Sequence, residues 1–427
     1  MVLTIGLGSV WGQINTKYAF MQSSTIWEPV YGTYATDAMT DEGLAGPFEI
    51  GFNFPYGTNT YTQVKISSNG WVNPGANLVL PYYGNGLATL NILPVLTPLW
   101  DDLGMQTGAV QFGTYGEAPN RIFIVQWLAA KWKYNASNEY NFMVRMHESG
   151  QVDLVYGPHT GMPDNPSATI GINMAPGGSG NYYNVVPGLI AQAYTSTQYN
   201  DITTFPDNGT MYIFMPKTDI STDAAALNLR GPKNPMQTVN ANYVVTVGNA
   251  GNTIIPQEAI TARLKRGDEV LAVAALPSLT PGGFAEVLLP WVPDTTGLMY
   301  LSADLEWTGD LNSLNNETYS YAITVQPFVG NADATIPAPQ LNLTVSPNPF
   351  RERTVISFSL DKAKTGSLTI YNLRGQVVRR LETGAKNSGS VFWDGRNDQG
   401  HPVPSGMYLA KLSTGGSSVA RKLVMLR

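Results

Sequence analysis

Period-two alternation of apolar and polar residues, broken by short Gly, Asn and Asp turns, runs through nearly the whole chain, and helical periodicity is almost absent. In EYNFMVRMHESGQVDLVYG, Phe142, Val144 and Met146 share one face, Glu148-Ser149-Gly150 turns the chain, and Val152, Leu154 and Tyr156 return. Successive strand side chains point to opposite faces, so this spacing predicts an antiparallel hairpin. YTQVKISSNGWVNPG repeats the pattern, with Val64, Ile66 and Ser68 opposing Lys65, Ser67 and Asn69 before a turn at Asn69-Gly70. In IFIVQWLAAKW both sets are rich in apolar residues: Ile122, Ile124, Gln126 and Leu128 on one side, Phe123, Val125 and Trp127 on the other. That strand is expected to be buried on both faces. Gly (43) and Pro (29) make up near one residue in six of the 427, above the usual share of about 12%. The fold class is all-β.

At roughly 100 to 200 residues per domain, the length predicts two to four domains, and the pattern changes favour three tandem β-sandwiches. The expected division is 1–13, 14–216, 217–327, a Pro- and Ala-rich linker at 328–340, and 341–427. With no cysteine, the chain has no disulfide, thiolate metal site or cysteine nucleophile, and each core stands on apolar burial alone. Charge is uneven: residues 1–216 hold 6 basic and 14 acidic side chains, 217–340 hold 6 and 12, and 341–427 hold 13 and 5. The basic residues of the last segment alternate with apolar ones rather than clustering with stacking aromatics, which describes a solvated sheet face and predicts no nucleic-acid partner. Val2 to Gly12 is apolar and small-residue-rich, as in the latter part of a signal peptide cleaved before Gln13; a first β-strand is the other reading. No apolar run reaches about 18 residues, so no transmembrane helix is expected.

The last segment opens with Ser346-Pro347-Asn348-Pro349-Phe350, passes through a Gly406-x-Tyr408 strand and ends on a strand carrying Arg421 and Lys422. It resembles the C-terminal sorting domain of cargo of the Bacteroidetes type IX secretion system, and equally the immunoglobulin-like module of the flagellar hook-capping protein. The resemblance implies that Pro347, Asn348 and Pro349 set the entry turn, that Gly406 and Tyr408 position a core strand, and that Arg421 and Lys422 offer charge to an outer-membrane export machinery. Residues 14–216, through FEIGFNFPYGTNTYTQVKISSNGWVNPG, LTPLWDDL and SATIGINMAPG, resemble nidogen-like and related adhesion-type β domains of secreted bacterial proteins. Residues 219–326, through VGNAGN, LTPG and Asn312 to Glu317, resemble the cell-adhesion-related bacterial module, an immunoglobulin-like seven-strand sandwich with a spacing or docking role.

Candidate chemistry is sparse. Of the three histidines, His147 and His401 fall in predicted turns; His147 and His159 flank one hairpin without the spacing of a metal motif. Ser149 neighbours Glu148 and His147, but adjacent residues of an extended chain point apart and no nucleophile elbow accompanies it. Asp101-Asp102 admits three roles: satisfying buried backbone groups, coordinating calcium, or acid and base work on a glycoside. Trp393 is expected to plug the last core while Asp394 and Asp398 hold the turn that follows. Trp127, Trp132, Tyr134 and Tyr140, or Tyr82, Tyr83, Tyr182 and Tyr183, would make a sugar-stacking platform, although sandwiches also bury such rings. Tyr82, Tyr83 and Asn85, in a loop, are the ligand-facing candidates.

The expectation is a secreted or cell-surface, non-enzymatic adhesion or structural protein without a cofactor, with a surface glycan, a matrix protein or its own copies as partner. A carbohydrate-binding protein or hydrolase with its site in 14–216, and a self-assembling filament or sheath subunit, are the alternatives.

Overall fold

The computed structural model describes residues 14–77, 80, 84–87, 94–105, 107–132, 137–161, 167–174, 180–202, 204–328, 342–346, 348, 350, 353–359, 366–372, 374–381, 388–414 and 417–426. The expected signal-peptide remnant and all but the first residue of the expected linker lie outside them. The chain divides into two compact units, Met1–Phe328 and Val329–Arg427.

The first unit begins with a sandwich of two large antiparallel sheets. One orders its strands Tyr18–Ser24, Thr210–Pro216, Val152–Tyr156, Glu139–His147, Ile122–Trp132, Ala109–Tyr115 and Thr33–Tyr34; the other runs from Gln192–Tyr194 through Val95–Trp100 to Leu44–Tyr56. The hairpin has the register its alternation predicts, with Phe142 opposite Tyr156, Val144 opposite Leu154 and Met146 opposite Val152. Between the sheets lies an aromatic core in which Trp127 stacks on Phe142 at 5.2 Å and Tyr156 meets Phe205 edge to face at 5.4 Å. Each fully buried large apolar side chain contributes about 1.5–3 kcal/mol, so this core holds the sandwich without cross-links.

The chain then passes directly from Thr210–Pro216 into Ala224–Arg230, the first strand of a second sandwich. Three strands, Ala224–Arg230, Ala241–Asn249 and Phe284–Trp291, face four, Glu269–Ala275, Thr261–Arg266, Gly297–Glu306 and Tyr321–Val325, the seven-strand count of an immunoglobulin-like domain. Its own core centres on Tyr243, Leu264, Leu289 and Leu301.

These two sandwiches share a further apolar cluster. Ile122, Ile124, Met143, Val155, Met211, Ile213 and Met215, on the outer face of the first domain's sheet, pack with Ala225, Leu227 and Ala250 of the second. Ile122–Trp132 is accordingly buried on both faces along most of its length. The approach is close enough that a Cβ on Gly248 would stand 2.1 Å from the Met215 sulfur. Gln151 Nε2 donates to the Leu227 carbonyl at 3.1 Å, and Ser23 Oγ to Glu286 at 3.1 Å. The middle domain therefore packs against the first through a shared apolar cluster, within one compact unit.

The second unit is a smaller sandwich. A three-strand sheet, Asn342–Ser346, Thr354–Ser359 and Ser388–Trp393, faces a four-strand sheet ordered Val377–Leu381, Ser367–Asn372, Gly406–Thr414 and Ser417–Met425. Trp393 is fully buried between Phe350 (5.5 Å) and Tyr408 (5.2 Å), the plug expected of it, and its Nε1 donates to the Arg396 carbonyl.

Candidate functional site

Asp101 is 5% exposed and both its oxygens are occupied. Oδ1 accepts from the Asp102 amide at 2.8 Å; Oδ2 accepts from Trp132 Nε1 at 2.6 Å and Ser167 Oγ at 2.7 Å. Of the three roles open to this pair, the geometry matches the first: Asp101 is a structural acceptor, tying the Val95–Trp100 strand to the opposite sheet. Asp102, half-buried, adds its charge to burial in raising the Glu42 carboxyl above its ordinary range, against the bond from Asn69. Among the described residues no group of three His, Asp or Glu side chains is placed to hold a metal.

Asn85 is not the free loop side chain expected. Its amide donates to the carbonyls of Trp100 (3.0 Å) and Ser167, bracing the same corner that Asp101 holds. Tyr82 and Tyr83 lie outside the described residues. Four rings offered as a platform, Trp127, Trp132, Tyr140 and Tyr182, are core residues exposed by 2% or less, and Tyr183 is buried as well; Tyr134 lies outside the description. Strand alternation aims Trp127, Trp132, Tyr140 and Tyr183 between the sheets, while Tyr182, on the other face of its strand, packs with Trp71, Leu87 and Trp100.

His147 ends a strand rather than occupying a turn, and it is buried. Its Nε2 lies 2.7 Å from Asp153, whose other oxygen accepts from Gln151 Nε2 at 2.7 Å. His159 instead stacks on Tyr140 and meets Phe205 at a tilt, so the two histidines have separate partners. Ser149 Oγ faces the Gln151 amide.

In the C-terminal unit, Asn348 clamps the entry segment to the last strand: its Nδ2 donates to the Lys422 carbonyl at 2.8 Å and its Oδ1 accepts from the Val424 amide at 2.7 Å. Pro347 and Pro349 lie outside the described residues. Gly406 adopts φ +153, open to glycine but strained for other residues, and starts the strand on which Tyr408 is buried with its hydroxyl on the Pro404 carbonyl at 2.6 Å. Arg421 and Lys422 are exposed on the edge strand and join no ion pair among the described residues. Asp394 accepts from the Arg396 amide within the turn after Trp393, while Asp398 accepts from the Arg380 amide and ties that turn to the Val377–Leu381 strand.

One feature of the first unit escaped sequence reading. Beside the apolar cluster, a cleft of about 970 Å³ opens between the two sandwiches. Glu28, Tyr115 and Arg145 form the first domain's wall; Lys233, Tyr300, Tyr319 and Tyr321 form the second's. Buried Gln126 anchors the near wall, accepting from the Val30 amide at 2.9 Å. Lys233 is fixed by Glu28 at 2.8 Å, by the Ala322 carbonyl at 3.0 Å and by the Tyr321 ring, 3.7 Å below its ammonium. Burial raises both the Tyr115 and the Tyr321 hydroxyls above their ordinary value. Both remain neutral donors.

Arg145 is different. It is 6% exposed, one guanidinium nitrogen donates to the Tyr319 hydroxyl at 3.0 Å, and its buried Nε has no partner. Asp153, opposite it across the strands, is engaged with His147 and Gln151, and no ion pair to Arg145 is found among the described residues. The signal that this face is covered was the double-sided apolar pattern of the neighbouring Ile122–Trp132 strand; which residues cover it is a matter of tertiary packing.

Fold and site together define an all-β multidomain protein of adhesion-type and immunoglobulin-like modules. Residues 17–216 match the family model described as NIDO related, and residues 350–418 the one described as FlgD Ig-like domain. No curated protein matches the chain. Among solved structures, the chain is similar to the CARDB domain of a Pyrococcus furiosus protein, at 20% identity and TM-score 0.22, covering 26% of this chain and 95% of that one. It is also similar to dimeric latent PorU from Porphyromonas gingivalis, at 12% identity and TM-score 0.20, covering 74% of this chain and 32% of PorU. A third is PorZ, a surface component of the type IX secretion system of the same organism, at 11% identity and TM-score 0.17, covering 88% and 51%. No helix among the described residues is long and apolar enough to cross a membrane, which leaves β-barrels unaddressed.

Proposed function

We propose that the chain is a non-enzymatic adhesion or structural protein of the cell surface or extracellular space, and that residues 341–427 direct its passage across the outer membrane. The observation that carries the reading is the last unit: a separate immunoglobulin-like sandwich, rich in basic residues, on a chain whose remainder is acidic. Its final edge strand presents Arg421 and Lys422 to solvent, where an export receptor with acidic surfaces would meet them. The non-enzymatic half is supported by Asp101, His147 and Asp153, the polar groups best suited to acid and base work, each of which is buried and bonded within the scaffold.

Removal of residues 341–427 in the native host is expected to leave the remainder in the periplasm, read by fractionation and surface proteolysis; a truncated chain at the cell surface overturns the export role. The carbohydrate-binding alternative is favoured by one observation, the tyrosine-walled cleft, and moves the site from the first domain alone to its junction with the second.

A further inference from the structure

From the cleft geometry we infer that the junction of the first two sandwiches is a binding site for a carboxylated sugar, a uronate-type residue of an acidic glycan, with Arg145 as the carboxylate receptor. The inference rests on the reading of the chain as a binding protein rather than an enzyme.

Arg145 is the starting point. A guanidinium taken out of water is costly unless its donors and charge are answered. Here no carboxylate among the described residues forms an ion pair with it, the facing Asp153 being bonded to His147 and Gln151, and the buried Nε is unpartnered. The other charged groups lining the cleft leave it so: Glu28 is held by Lys233, and Glu317 accepts from Ser302 Oγ at 2.6 Å with Lys265 at 3.9 Å, while Glu117 stands at the exposed rim. The guanidinium is oriented by the Tyr319 hydroxyl and ring, at 3.0 and 5.8 Å. The terminal nitrogens of this planar fork, one of them turned toward Tyr319, match a carboxylate.

The remaining lining specifies what carries that carboxylate. Tyr300, 56% exposed, offers a ring at the mouth of the cleft, and Tyr115 and Tyr319 add half-buried rings deeper in. Aromatic faces suit the C–H face of a sugar, and the alcohol and amide groups of Thr25, Asn120 and Ser320 suit its hydroxyls. The volume of about 970 Å³ lies at the upper end of small-ligand sites, about 300 to 1,000 Å³, enough for a short oligosaccharide. An acidic peptide would satisfy Arg145 but would leave the mixed hydroxyl lining without a role.

The test is calorimetric titration of the purified chain with tri-galacturonate and with its neutral methyl ester. The acid is expected to bind and the ester to bind at least about tenfold more weakly, the loss typical of one charge-assisted hydrogen bond. Arg145→Gln is expected to abolish this preference. Because Arg145 is buried, Tyr300→Ala at the exposed mouth serves as a second variant, expected to weaken both ligands while leaving the melting temperature unchanged. Equal binding of acid and ester, binding of neither, or binding of oligoglutamate in place of the saccharide overturns the proposal. These readouts use the purified chain and are independent of the export assay, so either idea can fail alone.

Discussion

Asp101 shows how a residue that reads as chemistry becomes architecture. A carboxylate 5% exposed that accepts three hydrogen bonds, two of them from Trp132 and Ser167, is committed to the scaffold. Asp101→Ala leaves three donors without their acceptor, and one buried unsatisfied donor costs about 1–3 kcal/mol. The variant is expected to melt several degrees lower by circular dichroism, with its secondary structure retained. Because the carboxylate is occupied, EDTA and added calcium are expected to leave the wild-type melting temperature where it is; a calcium-dependent rise would restore the metal role to Asp101 and Asp102. The same distinction separates Asn85, whose amide braces two carbonyls, from Arg145, whose donors are incompletely met.

Among elements, the Thr261–Arg266 strand shows sequence alternation turned into an electrostatic clamp. Arg263 and Lys265 lie on one face of it and both reach Asp304 on Gly297–Glu306, the arginine by two bonds of 2.7 Å and the lysine at 3.2 Å. Burial pushes the Asp304 carboxyl up, but the two cations together outweigh it and hold the group below its ordinary value of 3.8. A carboxyl with a depressed folded-state value contributes stability that is present above its unfolded value and lost as pH falls through the folded one. The middle sandwich is therefore expected to weaken below about pH 4, and Asp304→Asn to flatten that acid limb while costing about 1–3 kcal/mol at neutral pH, both measured by urea unfolding across pH. Strands and registers of this kind were legible: the Phe142–Tyr156 pairing follows directly from period two and one turn. What alternation could not convey is what lies over a strand's second face. Met143, Arg145 and His147 occupy the face opposite Phe142, and all three are buried because another domain covers them. The aromatic residues were legible as sandwich fillers, but a site formed by Arg145 of one domain and Tyr319 of another, 174 positions apart, has no local signature.

For the whole molecule, that covering contact decides whether the first unit behaves as two domains or one. The apolar cluster joining them includes Met143, Met211, Ile213, Met215 and Leu227, each exposed by 3% or less, and burial on that scale resembles a domain core more than a hinge. A chain of residues 14–328 is expected to unfold in a single calorimetric transition whose van't Hoff and calorimetric enthalpies agree. Gly248→Val places a branched side chain where even a Cβ would stand 2.1 Å from the Met215 sulfur and 3.1 Å from Leu227. Overpacking of this sort costs about 1–3 kcal/mol, and here the strain falls on the junction. The variant is expected to split the single transition in two while both sandwiches keep their strand content. It would also open the cleft, so loss of acidic-saccharide binding with each sandwich intact would locate the site between the domains. Two transitions in the wild-type 14–328 chain would instead mean that the sandwiches fold as separate beads and that the cleft walls are not held in register.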